Sequence, residues 1–141
     1  MSYVTYLETV QEAARLSDAG QTIEAIGKYL DALSQAPQEE DKLEPLFALG
    51  MELKTDQPED ALVYFQQCSS IAKECDRESF YFCYFYNAEK ELGEICVSQK
   101  KFPSALLHFK KAYKEIKSIQ DDPDTENYLH EMIKLMEKKS A

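Results

Sequence analysis

Apolar residues recur at helical spacing in seven successive blocks. In the first, Tyr3, Tyr6, Leu7, Val10, Ala13, Ala14 and Leu16 fall at that spacing, Ser2 is placed to cap the start, and Gly20 is placed to end the helix. Ile23, Ile26, Tyr29, Leu30 and Leu33 form the second block, which Pro37 stops. A charged connector follows, in which Asp41 and Glu44 have capping-box spacing and Pro45 fits only an opening turn. Leu46, Leu49, Met51 and Leu53 mark the third helix. Asp56-Gln57-Pro58 reads as a cap followed by a first-turn proline, and the fourth helix runs through Leu62, Phe65, Cys68, Ile71, Ala72 and Cys75. Ser79 is placed to cap a fifth helix from about Phe80 to Ser98, Pro103 starts a sixth, and Asp121-Asp122-Pro123-Asp124 breaks the chain before a seventh carrying Tyr128, Met132, Leu135 and Met136. No block alternates at period two between turn residues. The aromatic run Phe80 to Tyr86 favours a strand by itself, but its helical continuation and the lack of a second strand predict the first two turns of a helix buried on most sides. The reading is all-α.

Composition narrows the class. A chain of 141 residues makes one domain. The 16 basic and 26 acidic side chains give a net charge of −10, which argues against nucleic acid and against a polybasic membrane surface. All the excess lies in residues 1–78, with 6 basic and 16 acidic groups, whereas residues 79–141 hold 10 of each. A solvated polar face accounts for that imbalance, and the sharper alternative is an electrostatic bias toward a partner with basic segments. The start, Met1-Ser2-Tyr3-Val4, has no basic or apolar signal region, and the longest strongly apolar run is too short for a membrane span, so a cytoplasmic location is expected. Cys68, Cys75, Cys83 and Cys96 contain no C-x-x-C pair and are expected to be reduced, buried thiols.

Internal similarity changes the picture most. The second, fourth and sixth helices share Ala25-x-x-x-Tyr29-x-x-Ala32, Ala61-x-x-x-Phe65-x-x-Cys68 and Ala105-x-x-x-Phe109-x-x-Ala112. Upstream stand Ala13, Gly50 and Gly93, at 12, 11 and 12 residues before the first alanine of each. A small residue in mid-helix permits close approach of the partner helix, a second small residue is expected opposite it, and the aromatic fills the space alongside. Each hairpin leaves an apolar face unburied, so hairpins must stack and a last helix must close the end.

At these residues the chain resembles the tetratricopeptide-repeat family, most specifically in Leu92-Gly93-x-x-Cys96 followed by Ala105-Leu106-x-x-Phe109-x-x-Ala112. Ala13 replaces the glycine of the first repeat, and no repeat has the family's leading Trp. The resemblance implies three stacked antiparallel hairpins in a right-handed superhelix, with repeats at about 2–36, 41–75 and 79–119 and a capping helix at about 124–138. Ala61 to Ala105 spans 44 residues, which is expected to lengthen the fourth and fifth helices.

The same resemblance implies that the first helix of each hairpin lines a concave groove: Leu7, Val10, Gln11 and Ala14; then Glu44, Phe47, Ala48 and Met51; then Asn87, Lys90, Glu91 and Glu94. That surface is apolar for two-thirds of its length and charged at the far end. Phe47 and Met51 are its candidate anchors. The expected function is a protein–protein interaction module, adaptor or chaperone-like, holding a peptide or helix of another protein. The branch of the family that grips carboxylate tails is disfavoured. Its donor positions fall on Val10, Ala14, Ala48, Asn87 and Glu91, and only Asn87 can donate to a carboxylate. Size, acidity and an apolar groove also resemble the small chaperones of type III secretion, and a self-assembling homodimer is the alternative from another class.

Catalysis finds little support. His108 and His130 stand 22 residues apart with no triad or metal spacing, glycines are too scattered for a phosphate loop, and the acid pairs Glu39-Glu40 and Asp121-Asp122 lie in connectors. No enzyme activity, metal or cofactor is expected. Lys110, Lys114 and Lys117 share a face of the sixth helix, near Lys100, Lys101 and Lys111, expected on the outer side of the stack.

Overall fold

A computed structural model describes residues 2–120 and 122–141. Met1 and Asp121, named in the expectations above, lie outside them. Among the described residues there are seven α-helices and no strand: α1 (Tyr3–Asp18), α2 (Thr22–Gln35), α3 (Leu43–Leu53), α4 (Pro58–Lys73), α5 (Cys83–Ser98), α6 (Phe102–Ile119) and α7 (Pro123–Ser140). Each packs against the next in chain order, so the chain forms three stacked hairpins closed by α7 against α6.

Local chemistry accounts for the ends. The Ser2 hydroxyl accepts the Thr5 amide at 3.1 Å, and Asp122 accepts the Thr125 amide at 3.1 Å. After α1, Gly20 takes a left-handed φ of +79° while the Gln21 amide reaches back to the Leu16 carbonyl at 2.9 Å. The third hairpin repeats this turn with Lys100 at φ +60° and the Lys101 amide on the Cys96 carbonyl at 2.8 Å. The second hairpin, one residue shorter between its small residue and its alanine, turns without a left-handed residue.

Several expected caps are relocated. Asp41 does not cap α3. It sits in a 3-10 turn over Glu39–Lys42, where its carboxylate accepts the Gln38 amide at 3.1 Å and makes Gln38 the cap. Gln57, not Asp56, precedes Pro58, and no side chain caps α4. α4 ends at Lys73, before Cys75. Ser79 does cap, accepting the Tyr81 amide at 3.2 Å, but it caps a 3-10 turn over Phe80–Phe82, and α5 begins only at Cys83. Phe82, Phe85 and Tyr86 are buried as expected, whereas Phe80 is 76% exposed. The expected lengthening is real but shared: α5 has 16 residues against 11 in α3, α4 has 16 against 14 in α2, and the α4–α5 connector takes the remainder.

The repeated positions form the core. Ala25, Ala32, Ala61, Phe65, Cys68, Ala105, Phe109 and Ala112 are sealed from solvent, and Tyr29 nearly so. The contact at the glycines differs from the expectation of small against small. A Cβ on Gly50 would stand 2.5 Å from the Phe65 ring, and one on Gly93 would stand 2.6 Å from the Phe109 ring. The glycine is the seat of the aromatic itself. One large cluster runs from α3 to α7, whereas α1 and α2 contribute two smaller ones. The first hairpin is also tied to the second by polar contacts: the Tyr6 hydroxyl donates to the Asp41 carbonyl in the 3-10 turn, and the Ser17 hydroxyl donates to Glu52 of α3. Among the described residues none of the four cysteines is paired with another in a disulfide. Cys68 and Cys96 are buried, but Cys75 and Cys83 are half-buried, contrary to the uniform burial expected.

Candidate interaction surface

Residues spaced three and four apart on a helix share a face of that helix, but the residues expected to line a groove on α1, α3 and α5 differ in exposure. Gln11, Glu44 and Met51 are exposed. Leu7, Ala14, Phe47, Ala48, Asn87, Lys90 and Glu94 are half-buried. Val10 is turned into the hairpin, where it clusters with Tyr6 and Ala32. Glu91 is likewise buried, held by the Lys54 ammonium at 2.9 Å. Phe47 is wedged edge-on between Phe65 and Tyr84, with ring centroids 5.4 and 5.8 Å away. Met51, 39% exposed, is the anchor that water reaches.

The charged far end is internally engaged. Lys54 closes α3 and pairs with Glu91 of α5. Lys90 lies over the Tyr128 ring of α7 at 5.3 Å. Burial, and then the neighbouring Glu91 carboxylate, hold Glu94 above the ordinary carboxylate range. Burial similarly pushes the Cys68 thiol up to about 12, which keeps it protonated and unreactive.

Two clefts flank this face, and neither was expected from the sequence. One of about 190 Å³ lies where the starts of α1 and α3 meet the turn before α5, with Tyr3, Tyr6, Phe80 and Tyr84 among its walls and Glu40 and Glu44 at its rim. The other, about 700 Å³, opens between α2 and α4 and is lined by Leu30, Leu33, Leu46, Val63 and Ile71 with two glutamines. Leu30 and Val63 adjoin the repeated template without belonging to it, and that second apolar row was the available signal. Another residue missed by sequence reasoning is Glu89 of α5. It is 3% exposed and faces α6, with its carboxylate 3.2 Å from His108 Nδ1 and 3.8 Å from Lys111 Nζ. His108 is thus a packing residue with a polar partner. Lys110, Lys114 and Lys117 of the basic stripe are exposed, and Lys117 lies 5.7 Å from the Tyr113 ring centroid.

Among the described residues no group of three or more His, Cys, Asp or Glu side chains forms a metal-ligating cluster, and no helix is long and apolar enough to cross a membrane. No family model matches the chain, and no curated protein matches it.

Proposed function

We propose that this chain is a protein-binding module of the tetratricopeptide kind, which holds a segment of a partner along the face formed by α1, α3 and α5. The supporting observation is the exposure of Met51 on that face, beside Ala48 and in line with Leu7, Ala14 and Phe47, while α7 is engaged against α6. An apolar anchor rimmed by polar side chains is the usual composition of a peptide-binding surface. Met51→Glu tests this by placing a charge at an already exposed position. Partner capture, followed by quantitative mass spectrometry, is expected to fall at least tenfold while helicity and melting stay at wild-type values. Phe47→Glu is unsuitable, because its ring packs between Phe65 and Tyr84.

The cleft between α2 and α4 favours a second reading, self-assembly, because its roughly 700 Å³ far exceeds the aromatic cleft's 190 Å³ and five aliphatic side chains line it. Val63→Glu separates the two. If it abolishes a dimer seen by light scattering and Met51→Glu leaves partner capture intact, the working face is the α2–α4 side.

A further inference from the structure

The aromatic cleft carries chemistry that the apolar row does not. Its rings touch in pairs: Phe80 and Tyr84 lie 6.2 Å apart at 90°, and Tyr3 stacks on Tyr6 at 5.8 Å. Phe80 keeps 76% of its surface in water at the mouth, so its ring is open to a ligand. Glu40 and Glu44 stand at the rim, and no basic side chain lines the cleft. Two other carboxylates of the first half carry a cation of their own. Glu12 pairs with Arg15 at 2.6 Å and Glu39 with Lys42 at 2.6 Å. Four other rings are covered by the chain's own cations: Arg77 over Phe82, Lys90 over Tyr128, Lys117 over Tyr113 and Lys139 over Phe102. The rings of this cleft are lined instead by acidic side chains, Glu40, Asp41 and Glu44.

We infer that this cleft is a receptor for a single cationic side chain, an arginine or lysine on the bound segment of a partner protein. A ring face and a carboxylate attract the same charge, and they do so more strongly as water is excluded. The volume of about 190 Å³ is below that of sites for whole small-molecule ligands and takes one side-chain head. Leu7 both lines the cleft and belongs to the α1–α3–α5 row, so a segment laid on that row reaches the cleft at one end. The inference rests on the protein-binding reading and gives the partner its charge.

The probe is a fluorescein-labelled tetra-arginine peptide followed by anisotropy at low salt, beside its citrulline counterpart, which keeps the shape and removes the charge. Wild-type protein is expected to bind the arginine peptide at least about tenfold more tightly than the citrulline one. Phe80→Ala and Glu44→Gln, both at exposed positions, are each expected to weaken binding about three- to tenfold. Glu24→Gln, the same charge change on α2, is expected to leave it within about twofold. Equal losses from Glu24→Gln and Glu44→Gln, no loss from Phe80→Ala, or equal binding of the citrulline peptide would overturn the inference. If peptide discrimination fails while Met51→Glu still abolishes partner capture, the cleft is wrong and the binding module stands. If discrimination holds while Met51→Glu leaves capture intact, the module's face is wrong and the cleft stands. Self-association that disappears in Phe80→Ala and in Lys114→Glu would make the occupant a second copy, which overturns the assignment to a partner protein.

Discussion

A glycine in mid-helix costs about 1 kcal/mol relative to alanine, so its presence needs a compensating contact. Gly93 has one, because the Phe109 ring occupies the space of a side chain, whereas Gly27 of α2 has nothing within 4 Å of its missing Cβ. Opposite outcomes follow for one substitution. Gly93→Ala is expected to destabilise the fold by about 1–3 kcal/mol through overpacking. Gly27→Ala is expected to stabilise it by about 0.5–1 kcal/mol, and urea titrations of the two variants check both signs. Lys100 offers a third case. Its φ of +60° is accessible to lysine only at a cost, and the equivalent position in the first hairpin is Gly20. Lys100→Gly is expected to raise stability by about 0.5–1 kcal/mol, measured the same way.

At the scale of elements, the connector before α5 is held from outside itself. Arg77 reaches across to α6, 2.6 Å from Glu115 and 3.1 Å from the Ser118 hydroxyl, with its guanidinium 5.6 Å from the Phe82 ring centroid. Arg77→Ala is expected to cost about 1 kcal/mol, by loss of both the ion pair and the ring contact, and chemical denaturation measures it. The helices do not have equal support. α1 and α2 belong to small clusters, joined to the rest through Leu49, the half-buried Ile26 and Leu33, and a few polar contacts, whereas α5 lies inside the continuous core. Amide exchange is expected to be fastest, outside the termini and turns, in α1 and α2 and slowest in α5. Uniform protection across all hairpins would show that the stack opens only as a whole.

For the whole molecule, pH acts through the buried charge network that links α3, α5 and α7. The fold raises the Glu94 carboxyl above its ordinary value of 4.5, so the folded chain holds that proton more tightly than the unfolded chain does. The stability this group contributes is therefore fully present below pH 4.5 and is lost as pH rises through the raised value. Glu94→Gln keeps the side chain's shape and removes the charge. Its stability advantage over wild type is expected to be positive at pH 7 and to shrink toward pH 4, and parallel curves for the two proteins would contradict this.

The seven helices, their pairing into hairpins and the buried alanine and aromatic positions were legible in the sequence, because periodicity and internal repetition record which face each helix must bury. The repeat also placed Gly50 and Gly93 at the helix contacts, though not the rings seated on them. What the sequence alone left undetermined depends on how neighbouring elements divide the space between them. Phe80 and Phe82 lie two residues apart in one aromatic run, yet a 3-10 turn leaves the first in water and buries the second. Val10 and Met51 fall on the same expected face, and only helix packing turned one inward and left the other out. The two clefts are gaps between elements, so no local pattern encodes them. Sequence periodicity fixes which side of a helix is apolar; the angle and spacing of its neighbours decide which of those apolar atoms remain available to a partner.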